Sequence, residues 1–283
     1  MVKQAKLPPM RGDFSISNIS SRKSLGQHFL LDQNLTDKIV RAATINITDF
    51  SDITIIEIGP GLGGLTKSLL KLSPKHLYAI ERDKRCVKII KKLEKNYTNR
   101  LTTISGDALK FSIKNLGQMP RRIVANLPYN ISTPLLVNWL RQIKHIEQMT
   151  LMFQKEVVDR IIAQPSNKEY GRLSIITQWL CKTKLEFHID RRAFVPPPKV
   201  DSSLVTLEPY PHPLYPAKFE LLEEITAITF GQRRKMLRSS LKSIDINIKA
   251  LGIDATARPE NLSIEEFCLL AQALERRLDE KFN

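Results

Sequence analysis

Asn126-Leu127-Pro128-Tyr129 sets two carbonyl acceptors and an aromatic ring side by side, an arrangement suited to a planar base that carries an amine. An aromatic amine is a poor nucleophile because its lone pair is delocalised into the ring. A catalyst must therefore hold the nitrogen where that pair can point at an electrophile. The Asn126 side-chain oxygen and the Leu127 main-chain carbonyl can accept the two N–H bonds of such an amine, and Tyr129 can stack on the base. Pro128 has no competing N–H and biases Leu127 towards extended backbone. The same four residues also read as a strand end followed by an Asn-Pro-type turn, and taken alone they do not separate the two readings.

The surrounding pattern is strand, glycine loop, helix. Residues 53–58 are an apolar, β-branched run that predicts a buried strand, Gly59-Pro60-Gly61-Leu62-Gly63-Gly64 is the turn, and 65–72 opens a helix. Such a loop lets a ligand approach the backbone, because glycine has no side chain to exclude it and can take positive φ. Strands are also expected at 77–80, ending on Glu81, at 101–104, ending on Gly106-Asp107, and at 122–125, ending on Asn126. Polar residues at the carboxyl ends of consecutive parallel strands are where open α/β sheets bind ligands. Glu81 could accept both hydroxyls of a ribose. Glu57 could contact a cofactor directly or hold the glycine loop by hydrogen bonds.

Gly59, Gly61 and Gly64 satisfy G-x-G-x-x-G, and Glu81 stands near the spacing of its ribose-binding acid, so a nicotinamide dehydrogenase is one candidate. Hydride transfer does not require the polar ends at Asp107 and at Asn126. An S-adenosyl-L-methionine site uses both, one for the cofactor's adenine amine and one for the methyl acceptor.

The chain has 283 residues, enough for one large domain and a small one. Its 44 Lys+Arg against 29 Asp+Glu give a formal charge of +15, which points to a polyanionic partner. Three separated cysteines, with no C-x-x-C pair, argue for a reducing compartment, here the cytoplasm, and against a zinc site. The five histidines are equally scattered, so no metal is expected. No apolar run approaches the ~20 residues of a membrane span.

Several further motifs accompany those above: Glu57-Ile-Gly-Pro-Gly61, Gly106-Asp107-Ala108, Asn126-Leu-Pro-Tyr-Asn-Ile-Ser-Thr133, Phe153-Gln-Lys-Glu-Val157, Tyr170-Gly-Arg-Leu-Ser174 and Phe194-Val-Pro-Pro-Pro-Lys-Val-Asp-Ser202. In this order they resemble the rRNA adenine N6-dimethyltransferases, most closely the small-subunit type, from about Ser21 to the C-terminus. The resemblance implies a class I S-adenosylmethionine-dependent methyltransferase fold: α/β, Rossmann-like, with a mostly parallel seven-stranded sheet and a small α-helical C-terminal domain. It implies N6,N6-dimethylation of two adjacent adenosines near the 3′ end of small-subunit (16S) rRNA, in a pre-ribosomal particle, by a monomer. The family's cofactor contacts fall here on His28, Leu30, Gly59, Glu81, Asp107 and Asn126. Its acceptor contacts fall on Asn126, Leu127 and Tyr129, with Phe194 over the other side of the base. The residue at His28 is often Asn in the family, which puts a contact through that side chain in question. For Phe194 the alternative is a core aromatic before a proline turn. A large-subunit rRNA adenine methyltransferase of the antibiotic-resistance type shares these motifs, and a ribosome-assembly or RNA-binding factor is the alternative from another class.

Around these motifs, residues 1–21 read as a flexible basic arm, 22–208 as the catalytic domain and 209–283 as a helical RNA-binding domain, the boundary falling in a proline-rich stretch. Helices are expected at 34–43, 134–141, 154–163, 172–182, 218–230 and 233–241, strands at 150–153, 185–189 and 203–207. Ser263 with Glu266 predicts a capping-box start for a last helix to about 278. Arg233, Arg234, Lys235 and Arg238 come without an intervening acid. They are the candidate RNA-phosphate contacts, with a solvated helix face as the alternative.

Overall fold

The computed structural model describes residues 26–44, 47–244 and 246–282. The expected basic arm, and residues Ser24 and Leu25 of the turn before His28, lie outside the described residues.

Compactness divides the chain into two units. One comprises residues up to Lys155 together with Leu185–Leu207, and the other comprises Glu156–Lys184 and residues from Glu208 onward. The division at Leu207/Glu208 falls within one residue of the boundary expected at 209, and the departure from expectation is that 156–184 groups with the C-terminal stretch.

The first unit opens with a two-residue strand β1 (Phe29–Leu30) and helix α1 (Gln33–Ala43), N-capped by the Asp32 carboxylate at Asn34 N (2.8 Å). Then β2 (Thr54–Ile58), α2 (Gly64–Leu70), β3 (His76–Glu81), α3 (Lys84–Glu94), β4 (Leu101–Ser105), β5 (Arg121–Asn126), α4 (Tyr129–Leu140) and β6 (Gln148–Gln154) follow. After an excursion through α5 (Lys155–Ile162) and α6 (Arg172–Leu180), the chain adds β7 (Cys181–Ile189), β8 (Phe194–Val195) and β9 (Ser202–Pro209). The seven-stranded sheet has the order β4-β3-β2-β5-β6-β9-β7, with β4 to β6 mutually parallel and β9 antiparallel to β6. β1 pairs antiparallel with β8, Leu30 opposite Phe194.

β2 is buried at every position, and Ile55, Ile56 and Ile58 each gain roughly 1.5–3 kcal/mol from leaving water. β5 begins with two buried arginines that survive there because their donors are used. Arg121 donates to the carbonyls of Leu116 (2.8 Å) and Lys114 (2.9 Å), and Arg122 to Glu147 (2.9 Å) and the Ala43 carbonyl (2.8 Å). The chain runs β2, β3, β4 towards one edge and then returns to place β5 on the other side of β2. The order thus reverses between β2 and β5, where an open α/β sheet forms its ligand crevice.

The strands match the expected ones to within a few residues. Helix α4 differs: it starts at Tyr129, not at Pro134, and runs through the proline, whose absent N–H leaves one main-chain bond unmade. α3 is a helix beyond those expected. The second unit continues with α7 (Phe219–Gly231), the short α8 (Leu237–Ser240) and α9 (Ile264–Phe282). Its core stacks Phe230 on buried Phe267 at 5.7 Å, with Tyr170 edge-on to Phe230. The expected capping box starts α9, Ser263 N donating to Glu266 (2.7 Å) and Glu266 N to the Ser263 hydroxyl (3.2 Å).

Candidate active site

The crevice between the β2 and β5 ends is an open cleft, lined among others by Gln27, His28, Gly59, Gly61, Glu81, Arg82 and Asn126 to Tyr129. A smaller recess beside it is lined by Leu30, Glu57 and Leu65 together with the glycine loop. Gly59 and Gly61 hold φ of +68° and +55°, a region that disfavours any Cβ. At Gly61 a Cβ would also come within 3.1 Å of the Phe29 ring, so the loop stays bare towards the cleft.

Two carboxyl groups serve this part of the site. Glu81 is buried, and its oxygens accept from Gly61 N (3.1 Å) and Asp83 N (2.7 Å). Glu81, and not Glu57, is thus the acid that hydrogen-bonds to the glycine loop. Burial pushes the Glu81 carboxyl above its ordinary range against the pull of those N–H groups. Glu57 is 1% exposed, and burial pushes it up to about 8, with Glu81 adding to the shift. The Thr66 hydroxyl pulls the other way, but Glu57 Oε2 makes no hydrogen bond within range and is an unpaired polar atom in the wall of the recess.

At the β5 end, Asn126 Nδ2 donates to the His28 carbonyl (3.3 Å), which leaves the amide oxygen as the group available to accept. Leu127 is buried and lines the cleft, its N–H reaching the Met152 carbonyl at 3.4 Å. Tyr129 begins α4, and its hydroxyl is hydrogen-bonded to Ser202 at 2.6 Å. Burial raises the phenol's pKa, so the ring stays neutral and is no base near pH 7. The His28 imidazole stacks on the Tyr129 ring at 5.5 Å between centroids, and its Nδ1 lies 2.8 Å from the Pro196 carbonyl.

Several expected residues lie outside the cleft or at its edge. Asp107 Oδ1 caps the short turn after β4 at Leu109 N (3.1 Å), and its Oδ2 stands 3.8 Å from Arg82 at the edge of the cleft. Phe194, expected over the base, is 1% exposed in the hydrophobic core, paired through β8 with Leu30. In the second unit, Arg233 Nε donates to Glu260 (2.8 Å) and its Nη2 to the Lys168 carbonyl (2.5 Å). Arg234, Lys235 and Arg238 are exposed, but 233–241 is no continuous helix, since only Leu237–Ser240 is helical.

Sequence reasoning missed Gln27, Arg82, Asp83 and Ser202. Gln27 Nε2 donates to Asp83 (3.0 Å), which also N-caps α3 and pairs with Arg85, so the turn before β1 is fastened beside Glu81. Asp83 carried a signal: it precedes Cys86, Val87, Ile90 and Leu93 at helical spacing. Ser202 closes the Phe194 to Ser202 motif, but its bond to Tyr129 was not legible because the two are 73 residues apart.

This fold and this crevice define a class I methyltransferase. The family model for ribosomal RNA adenine dimethylase matches residues 18–276, and the chain belongs to that family. It is 52% identical over 276 residues to ribosomal RNA small subunit methyltransferase A of Paramagnetospirillum magneticum, covering 96% of this chain and 97% of that one. The same enzyme of Rhodospirillum rubrum is 50% identical, covering 95% and 93%. Among solved structures, a dimethyladenosine transferase from Plasmodium falciparum superposes with a TM-score of 0.72 at 28% identity, covering 87% of this chain and 97% of that one. The 23S rRNA methyltransferase ErmE does so with 0.65 at 25%, covering 87% and 99%. The chain is an enzyme of this methyltransferase family. Among the described residues, no cluster of three or more His, Cys, Asp or Glu could hold a metal, and no helix is long and apolar enough to cross a membrane.

Proposed function

We propose that this chain uses S-adenosyl-L-methionine to dimethylate N6 of two adjacent adenosines near the 3′ end of small-subunit rRNA, acting as a cytoplasmic monomer on a pre-ribosomal particle. The observation that carries the reading is the Asn126 amide: its nitrogen is committed to the His28 carbonyl, so its oxygen is left to accept an amine N–H beside Leu127 and Tyr129. Relatives named as small-subunit enzymes at about half identity, against 25% for the large-subunit enzyme, favour the small-subunit substrate.

The residues fit the cofactor. Glu57 Oε2 is a buried polar atom without a partner in the wall of the recess, where the protonated carboxyl can offer an O–H to a group of the cofactor, and Glu81 keeps lone pairs for ribose hydroxyls. The bound cofactor supplies a methyl group already activated on a sulfonium. Asn126 and the Leu127 carbonyl orient the amine so that its lone pair faces that methyl, and their dipoles stabilise the nitrogen as it becomes positive. Tyr129 holds the base by stacking once the adenine has left its own stack. No strong base is needed, because the alkylated amine is acidic once its lone pair is used.

Arg234, Lys235 and Arg238 are the proposed phosphate contacts, and replacing all three with Gln should flatten the log–log salt dependence of RNA binding by about 0.7–0.9 per lost contact. The deciding experiment incubates the protein with labelled cofactor and under-methylated small subunits and maps the label. Two adjacent dimethyladenosines near the 3′ end are expected; label in large-subunit rRNA alone would overturn the reading.

A further inference from the structure

Residues 26–28 lie across the cleft as a strap. On one side Gln27 is fastened to Asp83, next to Glu81. On the other, His28 reaches Asn126, Pro196 and Tyr129: its carbonyl accepts from Asn126, its Nδ1–H donates to the Pro196 carbonyl, and its ring lies on Tyr129 with an interplanar angle of 30°. Phe194 is sunk in the core, so the ring that faces Tyr129 is that of His28.

The spacing decides what this ring can do. A base sandwiched between two aromatic faces needs about 3.5–4 Å on each side, so roughly 7 Å or more between the flanking rings. The centroids of His28 and Tyr129 are 5.5 Å apart. A base and the imidazole cannot share that face as it stands.

We propose that His28 is a displaceable occupant of the base-stacking face of Tyr129, covering it until the acceptor adenine takes its place and breaking its Nδ1 bond to Pro196 as it leaves. The idea rests on the reading of Tyr129 as the stacking platform. Its consequence is selectivity. Every entering base must displace one aromatic contact and one hydrogen bond, and an adenine, whose amine finds both Asn126 and the Leu127 carbonyl, replaces them where a base without that amine does not. The turn residue thus serves the acceptor through its side chain, and any cofactor contact it makes is through its backbone.

The test uses the full chain as wild type, His28→Ala and His28→Phe, acting on under-methylated small subunits at saturating cofactor. Removing the occupant should lower KM for the particle about two- to tenfold, the factor carried by one aromatic pair, while calorimetric cofactor affinity changes less than about twofold. His28→Phe keeps the ring without the Pro196 bond and should fall between wild type and His28→Ala. In histidine-labelled wild type, the His28 ring signals should lose the shielding of Tyr129 when a hairpin carrying the two adenosines is added, and keep it with cofactor alone. A raised KM in His28→Ala, a tenfold loss of cofactor affinity with KM unchanged, or shielding that persists in the RNA complex would each overturn the proposal. Absence of methyl transfer by the wild type would instead sink the proposed function, so the two failures are distinguishable.

Discussion

Glu57 and Glu81 bring two desolvated carboxyl groups to one part of the cleft, whereas the Asn126-Leu127-Pro128-Tyr129 part carries no charged side chain. The acids sit at the ends of β2 and β3, where main-chain N–H groups can hold a carboxylate, and Glu81 uses two of them. The amide sits at the end of β5, where one tie to His28 fixes its orientation. The difference follows from what each part must hold. A ribose rewards a carboxylate acceptor that stays buried at a desolvation cost, as at Glu81. A neutral amine needs only dipoles fixed in direction, and these lose nothing to protonation as pH changes.

The sharpest way to break this division is at the neutral part. Asn126→Ala removes one preorganised acceptor and should lower the single-turnover rate about 10²–10³-fold. At the charged part, Glu81→Gln should weaken calorimetric cofactor affinity by at least about tenfold, since it removes charge-assisted bonds. Glu81→Ala should also lower stability, because the N–H groups of Gly61 and Asp83 lose their partner, at about 1–3 kcal/mol each.

Glu57 sharpens the comparison through pH. Its carboxyl goes from an ordinary 4.5 to about 8 in the folded chain, so between those values the folded protein holds a proton that the unfolded chain releases. Its contribution is complete below about pH 4.5 and is lost as pH rises towards 8, by up to ~1.4 kcal/mol per unit. Glu57→Gln should flatten that slope in urea titrations between pH 5 and 8; an unchanged slope would place the titration elsewhere. The smallest effect belongs to Tyr129→Phe. It keeps the ring and should keep most activity, losing about 1 kcal/mol of stability with the Ser202 bond, whereas Tyr129→Ala should lose about 1–3 kcal/mol of base stacking.

Much of this was legible in the chain because each parallel strand is a short apolar run ending in a polar residue, and those ends are the site. The glycine loop was legible for the same local reason. Pro134 misled the start of α4, since proline favours the first helical turn and here lies inside the helix. The pairing of β1 with β8 left no trace, because two residues have no periodicity and their partners are far apart in sequence. Two placements depended on tertiary context: Phe194 is drawn into the core, and Arg233 finds Glu260 across a loop. A basic run reads identically in sequence whether its first member is free or paired.

The most direct test of the division is the cofactor dependence of single-turnover methyl transfer in Glu81→Gln and Asn126→Ala, measured on the same under-methylated small subunits. Raising the cofactor concentration should restore Glu81→Gln to near the wild-type rate and leave Asn126→Ala slow at every concentration. Rescue of Asn126→Ala by cofactor, or a Glu81→Gln rate that stays low at saturation, would contradict the assignment of one part of the cleft to the cofactor and the other to the amine.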